Sequence, residues 1–272
     1  MNTKLQNCVV VSNGKGGVGK TTTVVEVLGH MADLIKKQEK LLAIDLDPSG
    51  NLTKRLTGLK YLPEDQITIT NYLLDPKNVR PDELMMEATK GWPNTYVIPS
   101  DKELTDICLR IATQSGWDRR LRKLVDELRE FFAFIIIDTG PTLGMLHTMA
   151  FKAGDKVIIP ADVGSDDALS GVHDVQTALE LLEEEEPSSC HKNVFVFLAA
   201  THKDNSEPNK IAVARFKEQL GKVFLEDIRV PHRSSVGKAV WKHTPPIPAK
   251  LLEKTTDQLF VSYRKISSLL MN

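Results

Sequence analysis

Short apolar runs alternate along this chain with stretches whose apolar residues recur every three or four positions. Cys8 to Ser12 is a β-branched run that stops at glycines and predicts a strand. Thr21 to Lys37 predicts a helix, with Val24, Val27, Leu28, Met31, Leu34 and Ile35 on one face. Leu41 to Leu46 predicts a second buried strand, and Val97 and Ile98 sit in a short one. Trp117 to Glu130 reads as an amphipathic helix with Leu121, Leu124, Val125 and Leu128 inward. Phe131 to Ile137, Lys156 to Pro160 and Val194 to Ala200 are further apolar strands, and a helix is expected from Asp167 to Leu182. Continuously apolar strands separated by helices belong to a parallel sheet covered on both faces. The predicted fold class is therefore α/β, a mostly parallel twisted sheet in a single domain over residues 1–272. Residues 58–95 are the least regular part, where loops and short helices are expected. Glu183 to Glu186 before Pro187 reads as an exposed helix end.

Composition changes this picture little. With 272 residues, 41% hydrophobic and 26% charged, the chain is an ordinary globular one rather than a disordered one. The net charge of -1 singles out no polyanionic partner, but its distribution does more. From Lys203 onward there are 13 Lys/Arg against 7 Asp/Glu, a net of +6, which leaves -7 for the rest. Either a C-terminal surface meets phosphate backbones or the cations are spread over a solvated face. Cys8, Cys108 and Cys190 are far apart with no paired spacing, so free thiols in a reducing cytosol are expected rather than a disulfide framework or zinc site. No signal peptide is expected, and the longest apolar run is far below the roughly 20 residues that span a bilayer.

The strongest chemical signal is Gly14-Lys15-Gly16-Gly17-Val18-Gly19-Lys20-Thr21, followed by Thr22. It satisfies the phosphate-loop pattern and lies between a predicted strand and a predicted helix. The glycines let backbone N–H groups turn around phosphate oxygens, and the following helix aims its positive end at the same anion. Lys20 is then the neutraliser of the β- and γ-phosphates, and the Thr21 hydroxyl a magnesium ligand. Phe134 to Asp138 is an apolar strand ending in a carboxylate, which makes Asp138 the second magnesium contact. The nucleotide expected is ATP with Mg2+.

Lys15 to Thr22, with its second lysine, resembles the deviant Walker A motif of the ParA/MinD family. The resemblance implies an ATP-bridged homodimer in which Lys15 reaches the partner's phosphates. Asp45 to Asn51 resembles the family's switch I, which implies that Asp47 positions the attacking water; Ser49 stands where glutamine is usual. Asp45 is either structural or part of the magnesium shell. Thr139-Gly140-Pro141 resembles switch II, and the likeness continues through Thr142-Leu143-Gly144, Ala153 to Pro160 and Thr201. Val230-Pro231-His232 resembles the segment beside the adenine, with His232 where arginine is common. The likeness is weakest over Gly58 to Asn94 and after Lys238.

The family divides by partner. Cysteines at these positions do not suit an iron–sulfur branch. Leu259, Tyr263, Ile266 and Leu270 recur at helical spacing near Arg264 and Lys265. They form either a membrane-binding tail, as in a MinD-like positioning ATPase, or a helix packed on the sheet; the narrow apolar face and few cations favour packing. The partition branch implies non-specific DNA binding, a centromere-binding (ParB-like) adaptor and a cytoplasmic, nucleoid-associated location. Arg215, Lys217, Arg229, Arg233, Lys238 and Lys242 are the candidate DNA contacts. Trp241 beside Lys242 faces either a partner or the core. The short stretch before the phosphate loop leaves no room for a helix-turn-helix. No arginine finger is evident near the loop, which implies slow, partner-stimulated ATP turnover. The reading is thus a partition ATPase. The alternatives are the membrane-associated positioning ATPase and a P-loop enzyme coupled to a synthetic or transport step.

Overall fold

The computed structural model of the protein describes residues 7–162, 169–186, 190, 193–201, 207–241 and 246–271. Among them, eight strands form one sheet: β1 (Cys8–Val11), β2 (Leu41–Leu46), β3 (Met86–Glu87), β4 (Thr95–Ile98), β5 (Phe134–Thr139), β6 (Lys156–Asp162), β7 (Val194–Thr201) and β8 (Phe224–Pro231). Their order is β3-β4-β2-β5-β1-β6-β7-β8. All neighbours are parallel except the short edge pair β3–β4. The central strands are Val- and Ile-rich and wholly buried because helices cover both faces.

Side chains alternate between those faces. Val9 and Val11 of β1 join one core, together with α1 (Lys20–Met31), α2 (Asn51–Thr57), α9 (Ser234–Trp241) and α10 (Gln258–Met271). Cys8 and Val10 join the other. That side carries α3 (Ile69–Leu74), α4 (Leu104–Ile111), α5 (Arg120–Leu128), α6 (Met145–Ala153), α7 (Ser170–Glu185) and α8 (Glu207–Leu220). Leu259, Tyr263, Ile266 and Leu270 of α10 are buried against α1 and β8. Burying such side chains contributes about 2 kcal/mol each, so α10 is a packed helix. No helix among the described residues is long and apolar enough to cross a membrane.

Three boundaries differ from expectation, one of them the helix expected over Trp117 to Glu130, which is α-helical only over Arg120–Leu128 after a 3-10 turn at Trp117–Arg119. The first helix stops at Met31 rather than Lys37, because Asp33 and Leu34 N–H groups turn back to the carbonyls of His30 and Met31. Leu34 and Ile35 still pack against the core from this turn. Strand β5 starts at Phe134, not Phe131; Phe131 is 69% exposed, and Phe132 is buried from the turn that precedes the strand. The expected helix start at Asp167 lies outside the described residues, and the helix runs over Ser170–Glu185.

A C-terminal strap crosses α1. Glu26, fully buried, accepts the backbone N–H groups of Ala249 at 2.7 Å and Lys250 at 3.2 Å. Lys250 in turn donates to the Gly29 carbonyl and to Asp33. Trp92, 2% exposed, donates its indole N–H to the Val25 carbonyl of α1 at 2.9 Å.

Candidate active site

The carboxyl ends of β1, β2 and β5 meet at the middle of the sheet, where open α/β sheets place their ligands. The loop from Gly14 to Gly19 leaves β1 here and enters α1 at Lys20. Gly17 and Gly19 have φ of 77° and 92°, a left-handed backbone that a side chain would strain. Asn13 anchors the loop: its amide donates to the Pro160 carbonyl, and its Oδ1 accepts the Lys15 N–H. Lys20 is buried and donates from Nζ to the carbonyls of Asn13 at 3.1 Å and Lys15 at 2.8 Å.

Parallel register sets Asp45 of β2 beside Asp138 of β5. Asp45 is buried and accepts the N–H and hydroxyl of Thr53 as well as the Asp47 N–H. Burial pushes its carboxyl up to about 6. It is therefore a structural brace, fully engaged by the turn into α2. Asp47 stands half-buried on the cleft wall, held by the Ser49 N–H at 2.9 Å, with Gly140 of the β5–α6 loop lying against its carboxylate.

Asp138 is strongly perturbed. Burial, and after it the neighbouring Asp45, push its carboxyl well above the usual range. Its Oδ2 accepts the Thr21 hydroxyl at 2.7 Å, whereas Oδ1 is buried without a hydrogen-bond partner. A buried acceptor in that state calls for a cation. A hydroxyl and a carboxylate at the mouth of a phosphate loop suit magnesium, which keeps water and phosphate oxygens as its other ligands. Lys20 answers the same charges: burial pulls it below its ordinary range, while Asp138 and Asp47 hold it up. His147 of α6, buried behind the site, is pulled down to about 4 by burial and by Lys20.

These groups open into a cleft of about 790 Å³ lined by Gly16, Gly17, Gly19, Lys20, Thr21, Thr22 and Asp47, then by residues of α2 and by Pro246 of the strap. The structure thus gathers Lys20, Thr21, Thr22, Asp47 and Asp138. Val18 is buried beneath the loop. Gly14 faces away from the cleft, toward Asp174 of α7. Lys15 is half-exposed and does not line the cleft. Pro231 ends β8, three strands from β1, with His232 exposed after it; neither lines the cleft.

The basic candidates do not form one patch. Arg215 and Lys217 lie on α8, Lys238 on α9 across the sheet. Lys217 pairs with Glu226 at 2.9 Å and Arg233 with Asp257 at 3.5 Å. Arg229 lies on β8 between Ile228 and Val230, and Lys242 falls outside the described residues.

Reading the sequence missed Arg55 and Lys54, which line the cleft from α2. Arg55 Nη1 donates to the Thr22 hydroxyl at 2.9 Å. The only local signal was two adjacent cations after the Asp45–Asn51 segment.

Comparison with known proteins agrees with this geometry. The AAA domain family matches residues 6–192. Chromosome partitioning protein ParA of Myxococcus xanthus is 30% identical over 237 residues, covering 85% of this chain and 80% of the relative. Apo McdA of Cyanothece superposes with a TM-score of 0.81 at 21% identity, covering 98% of this chain and 99% of that one. The septum site-determining protein MinD of Pyrococcus horikoshii, solved with Mg-ADP, gives 0.71 at 18% identity, covering 98% and 96%. The two structures establish the shared fold.

Proposed function

The chain belongs to the ParA/MinD family of P-loop ATPases, and from that premise we propose that it is a DNA-partition ATPase. In this reading an ATP-bridged homodimer binds DNA without sequence preference, and magnesium-dependent hydrolysis releases it. The observation that carries the nucleotide chemistry is the Thr21–Asp138 pair, with its buried and unsatisfied carboxylate oxygen, beside Lys20. The observation that favours partition is identity to a chromosome partitioning protein along most of the chain.

Each residue then has a task. The backbone from Gly16 to Gly19 cradles phosphate oxygens at the N-terminus of α1. Lys20 exchanges its two carbonyl acceptors for the β- and γ-phosphates. Thr21 and Asp138 hold magnesium, which supplies neutralisation of phosphate charge when bound. Asp47 orients water on the γ-phosphate side and accepts its proton. Lys15, outside the cleft that Lys20 lines, would reach a second subunit's nucleotide in the ATP-bridged dimer. A centromere-binding adaptor would stimulate turnover, and the working location would be the nucleoid. Packing of the α10 apolar face into the core weighs against the membrane-associated alternative. The cations offered for DNA lie on both faces of the sheet, so DNA contact would use a subset of them, assembled across the dimer.

The test is fluorescence anisotropy of a random-sequence duplex titrated with protein in Mg-ADP and in Mg-ATP at two salt concentrations. Binding in ATP alone that weakens steeply with salt is expected. Absence of DNA binding by protein shown to be loaded with ATP would overturn the partition reading.

A further inference from the structure

Arg55 has an unusual environment for a guanidinium. It sits on α2, 33 residues from Thr22 in sequence, yet its Nη1 donates to the Thr22 hydroxyl at 2.9 Å. Thr22 directly follows the two residues assigned to phosphate and magnesium. The guanidinium lines the same cleft as Lys20, Thr21 and Asp47. No carboxylate lies within ion-pair distance of it among the described residues. Asp138 and Glu26 act on it only from further away, and burial outweighs them, pulling the guanidinium below its ordinary range. A guanidinium carries five N–H donors in a rigid fork. One hydroxyl satisfies one of them. The group is thus a largely buried cation whose remaining donors border a cleft in which Lys54 and Lys60 add positive charge and, among the described lining residues, Asp47 alone carries a carboxylate.

We propose that Arg55 is a nucleotide-binding residue contributed in cis by α2, its guanidinium closing on the phosphates of the nucleotide held by the loop and by Thr22. This rests on the P-loop ATPase reading and adds to it a contact outside the loop and outside the two switch segments. The planar fork fits two phosphate oxygens at once, which a lysine cannot reproduce. Because Arg55 is carried by the helix that follows Asp47, phosphate capture by Arg55 also draws the Asp47 segment toward the site. Nucleotide binding and placement of the water-positioning carboxylate are thereby coupled through α2.

The alternative is that Arg55 merely ties α2 to α1 through Thr22. The two roles differ in sign. A tether stabilises the nucleotide-free fold, whereas an uncompensated buried cation costs it stability until an anion arrives. The experiment compares wild type, Arg55→Met, Arg55→Lys, Thr22→Val and Lys20→Ala in the full chain. It reads the thermal midpoint without nucleotide and the Kd for Mg-ATP and Mg-ADP by calorimetry. Arg55→Met keeps the apolar stem. Its nucleotide-free midpoint should equal or exceed that of wild type, while both Kd values rise about tenfold or more and Arg55→Lys recovers only part of the loss. A lowered nucleotide-free midpoint in Arg55→Met, matched by Thr22→Val, with nucleotide affinity kept, would overturn the proposal while leaving the ATPase reading intact. Wild type that binds Mg-ATP no better than Lys20→Ala would overturn both.

Discussion

Glu26 links the strap to α1 through an ionisable group, and its protonation should be visible in the stability of the whole fold. Burial raises its carboxyl from 4.5 to about 7, against the lowering effect of the two backbone N–H groups it accepts. The folded state therefore binds the proton more tightly than the unfolded chain. The contribution is fully present below pH 4.5, declines as pH rises and is gone above about pH 7. A displacement of this size corresponds to about 3 kcal/mol, with a slope approaching about 1.4 kcal/mol per pH unit inside the window. Asp45, raised from 3.8 to about 6, acts in the same direction. His30 and His147, lowered from 6.5 to about 4, act oppositely: their contribution is present above 6.5 and lost as pH falls through 4. The total slope is thus a sum, and the variant Glu26→Gln isolates one part of it. Glutamine keeps one acceptor oxygen but presents its amide to the other N–H, a constant penalty of about 1–3 kcal/mol at every pH. The informative quantity is the difference between wild type and Glu26→Gln, measured by urea denaturation at intervals between about pH 4.5 and about pH 8. That difference should shift in favour of the variant by about 3 kcal/mol across the window. A difference that stays flat would show that Glu26 is not held protonated by the fold, and the reasoning would fail.

Three further outcomes test the site and its support. Lys20→Ala should lose Mg-ATP binding and turnover together; calorimetry showing unchanged affinity would remove the phosphate role of this lysine. Asp47→Ala should still bind Mg-ATP but release phosphate about 100-fold more slowly, the scale of a lost general base, and a phosphate-release assay showing wild-type turnover would refute its role. Gly29→Ala places a Cβ 2.8 Å from the Pro248 Cβ of the strap. The expected loss is about 1–3 kcal/mol, despite the better helix propensity of alanine, and a higher urea midpoint in this variant would contradict the close packing.

The phosphate loop was legible because its chemistry is local: the Gly and Lys spacing between Gly14 and Thr21 needs no tertiary information. β1, β2, β6 and β7 were legible because strands covered on both faces read as unbroken apolar runs. β8 was not, since Glu226, Asp227 and Arg229 interrupt it on an edge strand that keeps only some of its positions buried. The Phe131–Phe134 run misled the start of β5 because apolarity does not distinguish a strand from the turn that feeds it. The pairing of Asp45 with Asp138 depends on strand register, and the meeting of Arg55 with Thr22 on how α2 folds over α1. Neither is encoded by spacing along the chain. Whether the C-terminal cations share one surface likewise depends on tertiary placement: Arg215 and Lys238 fall on opposite sides of the sheet.

The hydrogen bond from Trp92 to Val25 makes α1 optically visible. Indole emission responds to the polarity and the hydrogen bonding of its N–H, and this one is fixed in a dry pocket by the helix that starts at the phosphate loop. In a background where Trp117 and Trp241 are replaced by phenylalanine, Trp92 is left as a single intrinsic fluorophore hydrogen-bonded to α1. Loading of the loop then becomes a stopped-flow signal from unlabelled protein, and the rate of nucleotide entry is separated from the rate of hydrolysis.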